Sequence, residues 1–399
     1  MNAFLKLARV FSRSTAPAGP FIGLCEQRFL SDREFHRACK IIDWIQSVME
    51  TRTAYIDRHR LKSDIHDPQA IWKFWEGRPM YGAFRLVCSK DRHVINYLRM
   101  WTQHFTGYRL FTMERSEGKG FPDPGEIGPA SDTRYALIAE RPDDYVFKYR
   151  TLCQRLPREL HISPPSRFGE VGWNEGGRIV NHDTYAYQER IALLHASGGI
   201  DHLQGILATG RAPRVLEIGG GYGALAYHLK KIVPRTRVVI VDLTESLLFS
   251  ALYLSLLFPR EHHVYVTDAT PATELDADQP GCTFIPNFMF DRLVAASTGF
   301  DLAINTLSMS EMSQAQVSYY CSGIRTMIGN AGAFFEQNQD NSGIGQIDAH
   351  RIIAENFPCR AVVKAENLPH PLFGNAHVWS NRPWQPAASS DSFPPARCA

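Results

Sequence analysis

No apolar run in this 399-residue chain is long enough to cross a bilayer. The longest, residues 248–258, reads Leu-Phe-Ser-Ala-Leu-Tyr-Leu-Ser-Leu-Leu-Phe, about half of the roughly 20 residues a spanning helix needs. Charge of one sign is missing too. A formal net charge of +2 leaves no basic field to hold a phosphate backbone, which argues against nucleic acid as a partner. The eight cysteines are scattered and form no C-x-x-C pair, so neither a disulfide framework nor a cysteine zinc site is expected. They read as reduced thiols of a cytoplasmic protein. There is no H-E-x-x-H or comparable spacing, so no cluster demands a metal and none is assigned, while metal assistance stays open. No internal repeat is visible. The first 25 residues lack acidic side chains and carry Lys6, Arg9 and Arg13 among serines, a composition shared by transit peptides and by ordinary basic termini.

What is present organises the chain into four stretches. Residues 1–30 read as a basic tail. Residues 31–165 form a mainly helical region without a chemistry of its own. It opens with Ser31 and Glu34 at capping-box spacing, followed by Ile41, Ile42, Trp44, Ile45, Val48 and Met49 at helical spacing. A second helical pattern carries Val94, Ile95, Leu98, Trp101 and Phe105, and the aromatics of Ile71–Trp75 lie between them as core candidates. Residues 115–135 and 156–180 read as irregular from their Gly and Pro content. Residues 166–382 are the core, with 166–210 as a lead-in or lid. Residues 383–399, rich in Pro, Ser and Ala, read as disordered.

From Arg214 onward strand-like and helix-like patterns alternate, which predicts an α/β fold with a parallel, Rossmann-like sheet. Strands are expected at Val215–Ile218, Arg237–Val241, Asp301–Asn305, Ala333–Gln337 and Arg360–Lys364, with Ala376–Trp379 pairing with the last. His263–Thr267 and Thr283–Ile285 compete for the third strand.

The first strand runs into Val215-Leu-Glu-Ile-Gly-Gly-Gly-Tyr-Gly223. Strand, glycine turn and helix make the nucleotide-binding corner of such a sheet. Gly219, Gly221 and Gly223 allow the tight turn and a close ligand, and Glu217 selects its charge. A dinucleotide would place a pyrophosphate against that carboxylate. S-adenosylmethionine offers an ammonium and a sulfonium, which it attracts. Asp242, about twenty residues on, stands where a carboxylate accepts from both ribose hydroxyls, or else caps the next helix. Asn305, Ser308 and Glu311 follow the fourth strand, at the edge where ligands of open sheets bind. They are candidates for the methionine end or the substrate, the alternative being that Ser310 and Glu311 open the next helix. Asn181–Arg190 is a dense polar run, either a lid or a surface loop opening a helix at Asp183 or Thr184.

Taken in order, Glu217–Gly223, Val239–Leu243, Tyr253–Pro259, Ile285–Phe288 and Asp301–Met312 resemble the bacterial sugar O-methyltransferase family, a branch of the class I S-adenosylmethionine-dependent methyltransferases. The resemblance covers about residues 168–382. It implies that Glu217, Gly219, Gly220, Gly221 and Gly223 hold the methionine end and backbone of the cofactor, that Asp242 with Leu243 holds the ribose, and that Asn287 lies near the adenine, with Asp268 as the substitute if the alignment of the third strand is wrong. Asn305 completes the expected cofactor set. The implied reaction is in-line attack by a sugar or glycan hydroxyl on the sulfonium methyl. His377, His182, Asp183 and Glu311 are the candidates for the base. Other readings of the same residues are a methyltransferase for another small-molecule or lipid hydroxyl, a dinucleotide-dependent oxidoreductase, and a non-catalytic methyltransferase-like binding protein. A homo-oligomer is compatible with all of them.

Overall fold

The computed structural model describes residues 21–22, 28–68, 79–102, 105, 111–115, 118–119, 134–137, 142–170, 172–275, 278–296, 299–384 and 397–398. Ile71–Trp75 and most of the basic tail, of the 115–135 segment and of the C-terminal tail lie outside these residues. The chain forms two compact units, Met1–Asp43 with Phe74–Gln188, and Trp44–Lys73 with Glu189–Ala399.

The first unit begins the long helix α1 (Asp32–His59). The expected capping box is formed: the Ser31 main-chain N–H donates to Glu34 Oε2 at 2.9 Å and the Glu34 N–H to Ser31 Oγ at 3.4 Å. The pattern from Val94 to Trp101 is not one helix but two short ones, Arg92–Asn96 and Leu98–Trp101. The break at Tyr97 has a cause, because the N–H of Arg99, just beyond it, is taken by the Phe168 carbonyl at 2.8 Å. Residues 156–180 are not wholly irregular either. Gly172–Glu175 and Arg178–Val180 pair as an antiparallel hairpin. Gly176 and Gly177, both at positive φ, form its two-residue turn. Arg99 is buried among Glu170 (2.7 Å), Asp183 (2.7 Å) and Thr102 (2.6 Å), and Asn181 donates to Glu170 at 2.8 Å. The polar run from Asn181 is therefore no surface loop. It opens helix α2 (His182–Ala196), with Asn181 Oδ1 capping the Thr184 N–H at 2.8 Å.

The second unit is built on a mainly parallel sheet. After α3 (Gly199–Ala208) come β1 (Arg214–Ile218), α4 (Ala224–Ile232), β2 (Arg237–Asp242), α5 (Thr244–Leu257), β3 (His262–Tyr265), β4 (Gly281–Pro286), β5 (Leu302–Thr306), α6 (Gln314–Ile328), β6 (Ala333–Gln337), α7 (Ala349–Ala354), β7 (Cys359–Val363), β8 (Ala376–Ser380) and the two-residue β9 (Arg397–Cys398). Their order across the sheet is β9-β7-β8-β6-β5-β1-β2-β4-β3. Strands β1 to β6 run parallel, while β8 inserts antiparallel between β6 and β7. This is the mainly parallel, Rossmann-like sheet that the alternation of strands and helices predicts. The apolar runs of β1, β2 and β4 are buried along their length, as strands covered on both faces must be. Helix α5 has no separate polar face and is buried from Thr244 to Leu256.

Two competing third strands are resolved by register. β4 pairs residue for residue with β2, from Gly281 opposite Arg237 to Pro286 opposite Asp242, and β3 lies outside it as the edge. The second half of α1 belongs to this unit and covers that edge: Trp44 Nε1 donates to the Val266 carbonyl at 3.0 Å, and its ring packs on Tyr265 and Phe284. Trp384, read from sequence as tail, is buried and donates to the Ser197 carbonyl at 2.9 Å. No helix among the described residues is long and apolar enough to cross a membrane.

Candidate functional site

Strand β1 is the pivot of the sheet. From it the chain goes out through β2 to β4, then returns to β5 on the other side of β1, so that the carboxyl ends of β1 and β5 form a topological switch point. The glycine turn sits there. The Gly219 N–H donates to the Val241 carbonyl at 2.8 Å. Gly219 has φ +75°, and a Cβ on it would lie 2.2 Å from Ser308 Oγ, so only glycine lets the turn close against the loop after β5. Gly220 packs on β2, where a built Cβ would lie 2.8 Å from Ile240 Cγ2. Gly223, at φ +87°, is the residue that leads into α4.

Two carboxyl groups lie in it, Glu217 buried and Asp242 half-buried. Glu217 is 4% exposed. Burial, then the neighbouring Asp242 charge, pushes its pKa up to about 8 against the opposing pull of Arg190. Asp242 ends β2. Burial raises it to about 7, although its oxygens accept from the Leu243 N–H at 2.7 Å and the Gly221 N–H at 3.0 Å. The ribose candidate thus braces the glycine turn, and Leu243 contributes its main-chain N–H to that brace. A corner that holds two carboxyls near neutrality suits a cation and opposes a pyrophosphate.

At the end of β4, Asn287 donates its amide to the His66 carbonyl at 2.7 Å, while its Oδ1 is buried without a hydrogen-bond partner. Asp268, beyond the edge strand β3, is 46% exposed and ion-paired with Arg58. Asn305 at the end of β5 is a brace: its amide donates to the Ile218 carbonyl at 2.7 Å and to Ser308 Oγ at 2.5 Å, and its Oδ1 accepts from Met309 N–H at 3.2 Å. Between them Leu307 takes φ +68°, a conformation costly for a branched side chain. Glu311 ends the short 3-10 turn Ser308–Glu311 and is half-buried. Ser310 and Glu311 do not open α6. Ser313 caps it, in a full capping box with Gln316.

His377 does not stand alone. It lies on β8 directly opposite Glu336 of β6, and its Nδ1 is 2.9 Å from Glu336 Oε1. His350, in the first turn of α7, places its own Nδ1 2.9 Å from the same oxygen. Trp379 Nε1 donates to it at 3.2 Å, and Asn338 donates its N–H and its amide to Oε2 at 3.0 and 2.9 Å. Burial acts to raise the Glu336 pKa, but the hydrogen bonds and charges of the two histidines outweigh it and hold the carboxyl at about 2. Neither Glu336 nor His350 stood out in the sequence. The one available signal was an acid inside the otherwise apolar Ala-Phe-Phe-Glu-Gln strand. Glu336 is in register with Asn305, which is in register with Ile218, so the cluster and the glycine corner occupy one edge of the sheet.

His182 and Asp183 belong to the other unit. His182 stands edge-on to Tyr145, and Asp183 is engaged by Arg99.

No protein-family model matches this chain, and no curated protein matches it. Solved structures similar to it include the bifunctional kinase-methyltransferase WbdD (17% identity, 49% of this chain and 40% of that one, TM-score 0.33). A LepI variant in complex with SAH and a substrate analogue is similar at 14% identity over 50% of this chain and 52% of that one, with a TM-score of 0.32. A DhpI–SAH complex is similar at 12% identity over 48% of this chain and 88% of that one, with a TM-score of 0.29. The chain spans about two-fifths of the length of WbdD.

Proposed function

We propose that this protein is an S-adenosylmethionine-dependent O-methyltransferase acting on a hydroxyl of a sugar or glycan. One observation carries the cofactor reading: the buried Glu217 and the half-buried Asp242 carboxyls flank a glycine turn at the switch point of the sheet. The residues present fit that group. Glu217 faces its cationic end across Gly219, Gly220, Gly221 and Gly223. Asp242, with Leu243 beside it, takes the ribose hydroxyls, and the unpartnered Asn287 Oδ1 is an acceptor for the adenine amino group. Asn305 acts from behind, holding the Ser308 loop against Gly219.

Bound there, S-adenosylmethionine supplies an electrophilic methyl group to an attacking hydroxyl oxygen. The chain's own contribution is to orient the two reactants and to take the hydroxyl proton. We assign the second task to the cluster of Glu336, His350 and His377, which lies on the same edge about 10 Å from β1 at the usual strand spacing. His182, Asp183 and Glu311 have no part in this assignment. The sugar class rests on the family resemblance of residues 168–382. Other small-molecule and lipid hydroxyls are its rivals, and the measurement that separates them is SAH release with a panel of nucleotide sugars, glycans, phenols and hydroxylated lipids. Turnover confined to the sugar arm supports the reading. Turnover confined to another arm replaces the acceptor class but leaves the cofactor reading intact.

A further inference from the structure

Three elements far apart in sequence bring Glu336, His350 and His377 together, with one ligand atom of each lying within 4.8 Å of the others. Their arrangement is unequal. Glu336 Oε2 is tied by both donors of Asn338, which leaves Oε1 to face the two imidazoles. Its side chain is fully buried, whereas those of His377 and His350 are 11% and 25% exposed. The carboxylate is thus the floor of a small well and the imidazoles are its rim.

We propose that Glu336, His350 and His377 are the three protein ligands of a divalent first-row transition-metal ion, bound through Oε1 and the two Nδ1 atoms. Two imidazoles and one carboxylate are a donor set for zinc, iron or manganese, and three protein ligands leave positions open. At bond lengths of about 2.1 Å, two ligands at right angles stand about 3 Å apart, close to the 2.9 Å from Oε1 to either Nδ1. The outer partners are in place too: Asn338 on the far carboxylate oxygen, its carbonyl on His350, and Trp379 beside Oε1. The open positions would lie on the rim side, where a hydroxyl oxygen of the acceptor would bind and become more acidic, so the cluster would act on the acceptor proton through the ion and not as a free base. That use rests on the methyltransferase reading. Metal binding itself does not, so the two fail separately.

The test is Co²⁺ titration of chelator-treated full-length protein, followed by the visible absorption of the bound ion, with Zn²⁺ as competitor. The expected result is saturation at one ion per chain, displacement by Zn²⁺, and an affinity lowered at least about tenfold in His350→Asn, His377→Asn and Glu336→Gln. His350→Asn is the decisive variant because its side chain is the most exposed of the three and its replacement leaves the core intact, which far-ultraviolet circular dichroism verifies. Absence of a Co²⁺ spectrum in the wild type, or a spectrum unchanged in His350→Asn, overturns the proposal and leaves the cluster as a hydrogen-bonded network.

Discussion

Glu217 is an acid kept from water beside another acid, and its protonation state reports what the corner awaits. In the ligand-free protein burial raises it to about 8, so at pH 6 to 7 it holds a proton that a bound cation must expel. S-adenosylmethionine affinity is therefore expected to rise with pH, by up to about tenfold between pH 6 and 7 if one group is released. Glu217→Gln should flatten the dependence, with calorimetry at several pH values as the readout. The same raised value has a stability consequence. Its contribution is fully present below the ordinary value of 4.5 and is lost as pH rises to about 8. Glu217 and Asp242 were legible in the sequence because Glu217 runs into the glycine turn and Asp242 ends the next strand about twenty residues on. Glu336 and His350 were not, nor was their meeting with His377, because a β6–β8 register and the first turn of α7 bring the three together, and no spacing in one segment encodes that.

At the scale of elements, the strands of the sheet were legible because their β-branched runs and punctuating glycines are local signals. Helix starts were less so. Ser310 and Glu311 compete with Ser313 as the start of α6, and Ser313 wins because its hydroxyl and the Gln316 amide exchange hydrogen bonds with each other's main-chain N–H. Ser313→Ala is expected to cost about 1 kcal/mol in urea unfolding, and Gln316→Ala a smaller loss by the same assay. Helix α1 shows the limit of periodicity. Trp44 announces an apolar face, but not that its indole would reach the Val266 carbonyl beyond β3. Residues 44–67, read as part of a region without a role, also supply the His66 carbonyl that holds Asn287.

For the molecule as a whole, the division of the chain could not be read along it, since each unit is assembled from two separated segments. The first unit has its own fixed centre in Arg99. Replacing it with Met strands Glu170 and Asp183 as buried carboxylates. That is expected to destabilise the protein by about 3–5 kcal/mol, seen as a lowered urea midpoint. The second unit carries every residue assigned to the cofactor and to the acceptor proton. The measurement that bears on this most directly is calorimetric titration of the purified protein with S-adenosylmethionine, SAH and NADH, on wild type and on Glu217→Ala. Binding of both adenosyl ligands, weakened by the substitution and absent for NADH, is the predicted result. NADH binding, or adenosyl binding indifferent to Glu217, would contradict it.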